Sequence, residues 1–458
     1  MSVLSSVVNY LLGLGAAIFV PIIIIIAGLI VGMKVKDAIS AGVTLGVAFT
    51  GMTMLINFMT GAISPAAEAM LKSTGISLPI VDGGWTTMST IAWSWPYAFL
   101  MFPLLIIVNI IMLVLKKTNT FNADLWNVWG KIFTAVAVVA LTKPHFGAAG
   151  SIVAAFVVAA IQIIFELKMA DMYQYRIEKL SGIPGVTCTH KMGFLGALMF
   201  PIDCLLKKVP AFNKKMDAAA LKEKVGIFAE NHILGFILGI FFGILARYSV
   251  AKTATLAIQC ATSLTLFPVI TKYFMQALAP ISEAVSDFMN KKFSGRTLVV
   301  GLDWPFLGGS NEIWLAVIYS VPITLIFSMF LPGNDILPFA GIINIALAVP
   351  AFLVTGGNLI RMVILCTIFA PVFLWVGTAM APFVSDLART TGAVSLKAGE
   401  LISCSSIDGP IQTYAFSHVF KILDGDFIPL AILVVFVVCF AMLFRYLMKE
   451  AKEGRDFQ

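Results

Sequence analysis

Apolar runs of about twenty residues recur along this chain, and nothing else constrains its fold so tightly. Crossing a bilayer's hydrocarbon core takes roughly 20 such residues in a helix. Eleven spans can be drawn, at about 14–33, 38–60, 92–115, 125–142, 147–167, 231–249, 252–276, 312–331, 336–354, 359–381 and 427–447. Hydrophobic residues make up 59% of the 458, and charged residues 12%. A soluble domain carries about 25% charged residues, so the spacing predicts an all-α polytopic membrane protein. The net charge of +7 does not signal nucleic-acid binding, because the basic residues are sorted by side. Connections after odd-numbered spans, counted with the tail and the basic residues at span ends, hold 22 Lys and Arg against seven on the other side. By the positive-inside rule the N-terminus is expected outside and the C-terminus in the cytoplasm. The first run has no basic residue before it and Lys34 and Lys36 after it, which fits a retained span and not a cleaved signal.

The most unusual connection is Val299–Ile313, V-V-G-L-D-W-P-F-L-G-G-S-N-E-I. Pro305 and Gly308-Gly309 break helix geometry there, yet the stretch lies between long apolar runs. Irregular backbone at membrane depth is tolerated only where protein or a wet cavity covers it, and a carboxylate there marks a functional site by default. Val81–Thr87 (V-D-G-G-W-T-T) repeats the vocabulary, and the two are expected to face one another across a substrate site.

The halves of the chain echo each other. Ala62-x-x-Pro65-x-x-Glu68-Ala69 recurs as Ala277-x-x-Pro280-x-x-Glu283-Ala284, 215 residues on, and Gly28 and Val35 meet Gly243 and Val250 at the same offset. Five spans separate the copies, so they are expected to run in opposite directions. The expected architecture is two inverted five-helix repeats plus a C-terminal helix, with re-entrant half-helices. Such repeats characterise alternating-access transporters, with substrate bound near the midplane.

Asp82 and Asp303 lead the candidate ligands: a carboxylate accepts hydrogen bonds from sugar hydroxyls, and the adjoining Trp85 and Trp304 can stack on C–H faces. Capping of a half-helix is the plainer role for each Asp, and a place in the interfacial aromatic belt the plainer one for each Trp. Thr86, Ser310 and Asn311 could also meet a polyol, although Ser310 or Asn311 could simply cap the eighth span. Asp124 reads as a helix cap, and Asn127, a turn further in, as the better ligand. Asn358, beside Arg361, holds the equivalent connection of the second half. His190 sits in a polar, Gly-bounded patch of the long connection 168–230 that is expected to dip back toward the core, where it could assist proton removal from a hydroxyl. The six cysteines lack C-x-x-C spacing, and no motif points to a metal or other cofactor. No G-x-x-x-x-G-K-[ST] loop is present, so energy must come from an ion gradient or a separate protein.

Taken in order, Val20-Pro21-Ile22, Gly32-Met33-Lys34-Val35-Lys36-Asp37-Ala38, Val81-Asp82-Gly83-Gly84-Trp85, Asp124-Leu125-Trp126-Asn127-Val128-Trp129, Gly301-Leu302-Asp303, Leu337-Pro338-Phe339 and Gly357-Asn358-Leu359-x-Arg361 resemble a known family. The chain is similar throughout to the galactitol-type membrane subunit (EIIC) of the bacterial sugar phosphotransferase system, and more distantly to the ascorbate subunit. The resemblance implies a permease in the bacterial cell membrane that takes up a galactitol-like polyol or hexose. A separate phosphocysteine protein, EIIB, itself charged by EIIA, would phosphorylate the substrate. It further implies a homodimer in contact with lipid, no nucleic acid, and an elevator-like core moving against a V-shaped scaffold. On that pattern residues 1–167 form the first repeat (scaffold helices 1–2, core helices 3–5) and 168–230 a cytoplasmic loop. Residues 231–381 would form the second repeat (scaffold helices 6–7, core helices 8–10), and 382–458 an extracytoplasmic loop and the C-terminal helix. Where some relatives carry Pro-His-Gly this chain has Thr189-His190-Lys191, and Ser310 stands where some have His. Two rivals remain: a cation-coupled sugar symporter, with Asp82 or Asp303 holding the ion, and a non-transporting receptor.

Overall fold

Two long helical hairpins frame the molecule. In the first, α1 (Ala16–Ile30) turns at Gly32 into α2 (Val35–Lys72). Well down the chain, α7 (Asn231–Leu245) turns into α8 (Val250–Lys292), and the two hairpins pack on one another through α2 and α8. This is a computed structural model; it describes residues 16–72, 78–124, 126–213, 231–292, 298–338, 340–396 and 399–455. Small residues make the second hairpin tight. A Cβ at Gly235 would stand 2.6 Å from the Cα of Ala261, and one at Gly239 2.4 Å from that of Ala257. Glycines four apart allow backbones to approach closely where lipid offers no hydrophobic drive to pair helices. Gly42 and Gly46 do the same for α2 against the Pro21 and Ala17 carbonyls.

After α2 come the strand β1 (Ile80–Asp82), α3 (Gly84–Trp93), α4 (Met101–Val114) and β2 (Thr120–Asn122). Next is α5 (Trp129–Ser181), which breaks at Gly147, with φ of 67° and ψ of −179°. Lys131 Nζ lies 2.7 Å from Glu166 Oε2, and Gln162 donates to Thr134 Oγ1 at 3.0 Å. In one straight helix residues 131 and 166 would stand roughly 50 Å apart at ~1.5 Å per residue. The chain therefore doubles back at Gly147, and the fourth and fifth expected spans are the two limbs.

The connection expected at 168–230 is not a loop in its first part. Helix continues to Ser181, followed by β3 (Val186–Cys188) and α6 (Leu195–Leu206), all largely buried. Two of its charges are consumed inside, while Lys179 and Lys208 stay exposed: Arg176 makes two 2.7 Å bonds to Glu450 and donates to the Leu353 and Val354 carbonyls. Arg361 likewise bonds Asp203 at 2.7 Å and the Thr355 carbonyl. The two guanidiniums thus occupy the carbonyl end of α10 (Ile345–Thr355), where a cation is favoured. Lys214, Lys215, Lys222 and Lys224 of the same connection lie outside the described residues.

The second half supplies β4 (Val299–Leu302), α9 (Asn311–Phe330), α10, α11 (Leu359–Thr391), β5 (Leu401–Ser403), α12 (Pro410–His418) and α13 (Ile428–Glu453). Of the expected span 336–354 only the part from Ile345 is helical. The expected 382–426 loop holds the end of α11, β5 and the buried α12. Among the described residues five helices are long and apolar enough to cross a membrane: α2, α5, α9, α11 and α13. On α13 Phe436, Phe440 and Leu443 are buried while Val434, Val435 and Val438 face outward, as a helix between protein and lipid requires.

Among the described residues five short strands, absent from an all-α expectation, organise the centre. All pair in parallel: β1 with β5, and β4 between β2 and β3. Ile80 bridges Ile336 as well. Each strand that follows a hairpin of one half thus pairs with segments of the other half. Gly301 in β4 is obligatory, since a Cβ there would meet the Thr189 methyl at 2.4 Å and the Thr120 methyl at 2.8 Å.

Replacing Gly239 by Val should force α7 off α8 and cost about 2 kcal/mol or more, as overpacking does. A thermal-unfolding scan of the detergent-solubilised protein checks it: the transition should fall by several degrees.

Candidate functional site

Because the strands of each pairing run parallel, their carboxyl ends open at one edge. Beyond those ends the chain presents Asp124 after β2, His190 after β3 and Asp303 after β4. In the other pairing β1 ends in Asp82, and β5 leads to Ser405, Ser406 and Asp408. Ligands in open α/β sheets bind outside the carboxyl ends of parallel strands, and two miniature sheets place this cavity in the same way. Its volume is about 220 Å³, far above the ~10–15 Å³ one water needs. Trp85, Trp129 and Trp304 give it aromatic walls; Asn127, His190, Asp303, Ser406 and Asp408 give it polar ones. Helix α2 closes one side with Thr53 and Asn57.

His190 is 5% exposed. Its Nδ1 accepts the Met192 amide at 3.3 Å, so in the neutral ring the proton sits on Nε2. That nitrogen points at two carboxyls, 3.5 Å from Asp408 Oδ2 and 3.9 Å from Asp303 Oδ1. On this connection between spanning helices burial pushes the His190 pKa down to about 4, against the pull of Asp124. The ring is neutral near pH 7 and meets the carboxyls as a hydrogen-bond donor, not as an ion. Asp303 Oδ1 accepts the Trp304 amide at 2.7 Å, opening the turn Trp304–Leu307. Burial first, then Asp124, pushes the Asp303 pKa well up. Burial also pushes Asp408 up to about 6, with Lys191 pulling it back. Of the two carboxyls facing His190, Asp408 is therefore the one that ionises near neutral pH.

Asn127 is held from behind: its amide nitrogen lies 2.9 and 3.0 Å from the Asp124 oxygens, and its carbonyl accepts Trp129 Nε1 at 3.2 Å. Asp124 accordingly does more than cap a helix. Asn122, which also accepts the Thr189 hydroxyl, accepts the Asp124 amide and thereby anchors it to β2.

The structure brings together Trp85, Asn127, His190, Asp303 and Trp304 around the cavity. Asp82 stands behind the wall. It accepts from the Gly84 amide at 3.2 Å, the Gly341 amide at 2.8 Å, and the Ser405 amide and hydroxyl at 3.3 and 2.6 Å. Both its oxygens are thus engaged by protein donors, and it clasps the segments whose neighbours Gly84, Trp85, Ala340 and Ser406 form the lining. Ser310 occupies the cap position of α9 and Asn311 its first turn; neither is among the lining residues. Asn358 caps α11 through the Arg361 amide, away from the cavity. Thr86 falls on α3, and its side chain lies outside the described residues. Sequence reasoning passed over Asp408, Ser406, Thr53 and Asn57. The signal for the first two was available: Cys404-Ser-Ser-Ile-Asp-Gly-Pro410 mixes Asp, Gly and Pro between apolar helices just as Val299–Ile313 does.

Residues 10–399 match the family EIIC-GAT, described as the sugar-specific permease component of the phosphotransferase system. The chain belongs to this family. Over 420 residues, 91% of each chain, it is 32% identical to the galactitol-specific EIIC component of Escherichia coli K12, and equally to that of strain O157:H7. It is 30% identical over 387 residues to a putative permease IIC component of E. coli K12, covering 84% of this chain and 87% of that one. This EIIC-GAT chain is an integral membrane protein and a sugar or polyol permease component of a phosphotransferase system.

Replacing Asp82 by Ala leaves buried donors on three segments without their acceptor, each costing about 1–3 kcal/mol. The expected outcome is a fall of several degrees in the unfolding midpoint, with ligand affinity weakened by the loosened wall. Calorimetry and ligand titration on the same preparation read both.

Proposed function

We propose that this EIIC-GAT permease carries a neutral, galactitol-like polyol, which a phosphorylated EIIB protein phosphorylates as it reaches the cytoplasmic side. The single observation that carries the substrate class is the lining of the cavity: carboxyls, amides, hydroxyls and indoles, with no Lys or Arg among its described residues. Such a wall suits a string of neutral hydroxyls and would repel an acidic sugar. The relative named for galactitol points the same way.

The chemistry divides between the two acids. Asp408, ionised near neutral pH, takes the proton of the hydroxyl that attacks phosphorus; a base works best with a pKa near the operating pH. Asp303, whose pKa burial pushes up, orients the substrate by a hydrogen bond to one of its oxygens. Neighbouring acids with pKa values driven apart divide such roles elsewhere. His190 is a positioning residue that donates from Nε2 and sets the two carboxyls relative to each other. Phosphoryl transfer then needs mainly positioning. The product carries about −1.5 to −2 charges, and the same carboxyls that held the polyol repel it, which favours release inward.

The expected architecture of two inverted repeats belongs to this reading. Its support is the reciprocal pairing of β1 and β4 and the recurrence of a glycine-packed hairpin before each. Core and scaffold would meet where α2 closes the cavity. A homodimer and an outside N-terminus also remain part of the proposal.

The test uses membrane vesicles with labelled galactitol and phosphorylated EIIB. Galactitol should accumulate as its phosphate; accumulation of free galactitol under a proton gradient without phosphoprotein would establish the symporter instead. Asp408→Asn should cut phosphorylation about 100-fold or more, in the range of general-base effects, and leave binding largely intact. Asp303→Ala should instead abolish binding. In wild type the rate should hold above pH 6 and fall below it, because Asp408 gains a proton there and can accept no other. A flat profile from pH 5 to 8 would remove Asp408 from the role.

A further inference from the structure

Behind the cavity a second polar group lies buried between α5 and α12, and no step of substrate binding or phosphorylation uses it. Lys191 follows His190 but points the other way. Its Nζ donates to the Gly130 carbonyl at 2.9 Å and to Thr413 Oγ1 at 3.0 Å. The slot is built for that stem: a Cβ at Gly130 would lie 2.5 Å from Lys191 Cε, and Gly409, with φ of 51°, passes on the other side. Two of the three ammonium protons are so occupied. The charges acting on Lys191 are those of Asp408 at the cavity, and of Lys131 and Glu166 within. Glu166 pairs with Lys131 through Oε2, while its Oε1 has no partner among the described residues.

One turn away on α5 Gln162 gives its amide to Thr134, and its Oε1 has no partner among the described residues. Gln412 on α12 has neither its Oε1 nor its Nε2 engaged by any described residue. Phe165 of α5 and Phe416 of α12, one turn beyond Gln412, pack with ring centroids 5.4 Å apart, so the two helices touch at this level. Gln162, Glu166 and Gln412 are at most 1% exposed. A buried amide or carboxylate atom left unpaired costs about 1–3 kcal/mol, and natural interiors meet that cost with bound water.

We propose that Asp408, Lys191 and Glu166, with water held on the unpartnered atoms of Gln162, Glu166 and Gln412, carry the proton of the phosphorylated hydroxyl away from the cavity. The inference rests on the permease reading above. The substrate O–P bond forms as the S–P bond of the partner's phosphocysteine breaks, leaving its thiolate. The hydroxyl proton passes to Asp408. Lys191 gives a proton through water to Glu166 and takes the one on Asp408, so its ammonium is restored. Glu166 holds the proton beside Lys131 until the chain of water returns it to bulk. Without this exit, Asp408 would stay protonated in a cavity filled by product.

The experiment compares wild type, Glu166→Gln and Gln412→Leu in proteoliposomes, measuring labelled-galactitol binding and single-turnover phosphorylation by phosphorylated EIIB in H2O and D2O. Glu166→Gln should bind within twofold of wild type, lose at least tenfold in phosphorylation rate and change its solvent isotope effect. Gln412→Leu should lose severalfold in rate alone. If Glu166→Gln does not fold, Lys131→Met with Glu166→Gln removes both charges and should show the same rate loss. Variants that phosphorylate within twofold of wild type, or whose binding falls in step with rate, overturn the relay. So does a Gln412→Leu protein that unfolds at a higher temperature with unchanged turnover, since that marks a dry chamber. Wild type that binds galactitol yet never phosphorylates it sinks the permease reading and the relay together.

Discussion

Parallel pairing of a few three- and four-residue strands is the constraint on which this molecule turns. A strand buried among membrane helices must have its amides and carbonyls satisfied by protein, and each central strand here finds its partners in the other half of the chain. The pairing settles three things at once. It fastens each hairpin to the opposite half. It lets the chain leave the helical path with strand backbone groups paired to protein. It also directs every strand's carboxyl end toward one space, and that space becomes the cavity.

The two pairings have been put to different uses. At the end of β1 Asp82 is engaged by four protein donors and serves as a clasp. At the end of β4 Asp303 keeps one backbone bond and faces His190 across open volume. The same residue type at matching positions thus gives a clasped wall in one place and a carboxyl turned to the cavity in the other. The difference lies in the residues just beyond the partner strand: Ser405 offers a hydroxyl and an amide to Asp82, whereas His190 offers Asp303 a ring held 3.9 Å away. Burial then separates the carboxyls in acidity, and Lys191, from behind, favours the charge on Asp408.

Much of this was legible in the residues. Apolar length pointed to long membrane helices, five of which stand among the described residues, because hydrophobic run length is a direct physical requirement of the bilayer. The Asp, Gly and Trp vocabulary pointed to Asp303, Trp304 and Trp85, and the polar Gly-bounded patch to His190, all of which line the cavity. Composition could not tell that Asp82 would be claimed by Gly341 and Ser405, partners far off in sequence, nor that Arg176 and Arg361 would be buried against helix carbonyls and acids. A rule that sends charge to solvent fails wherever a distant residue supplies the counter-charge. The strands escaped because three residues carry no periodicity. Asp408 escaped because its connection was read as a loop by length alone.

The clasp on Asp82 bears on how such a protein is made. Asp82 leaves the ribosome long before Gly341 and Ser405 exist, and β1 waits for β5 across most of the chain. Contacts so remote in sequence are slow to form. Through most of its synthesis the nascent chain is therefore a set of inserted helices with no finished polar chamber among them. A truncated or stalled product ending before Ser405 lacks the wall that Asp82 and Ser405 close, and its polar chamber has no finished form until nearly the last helix is in place.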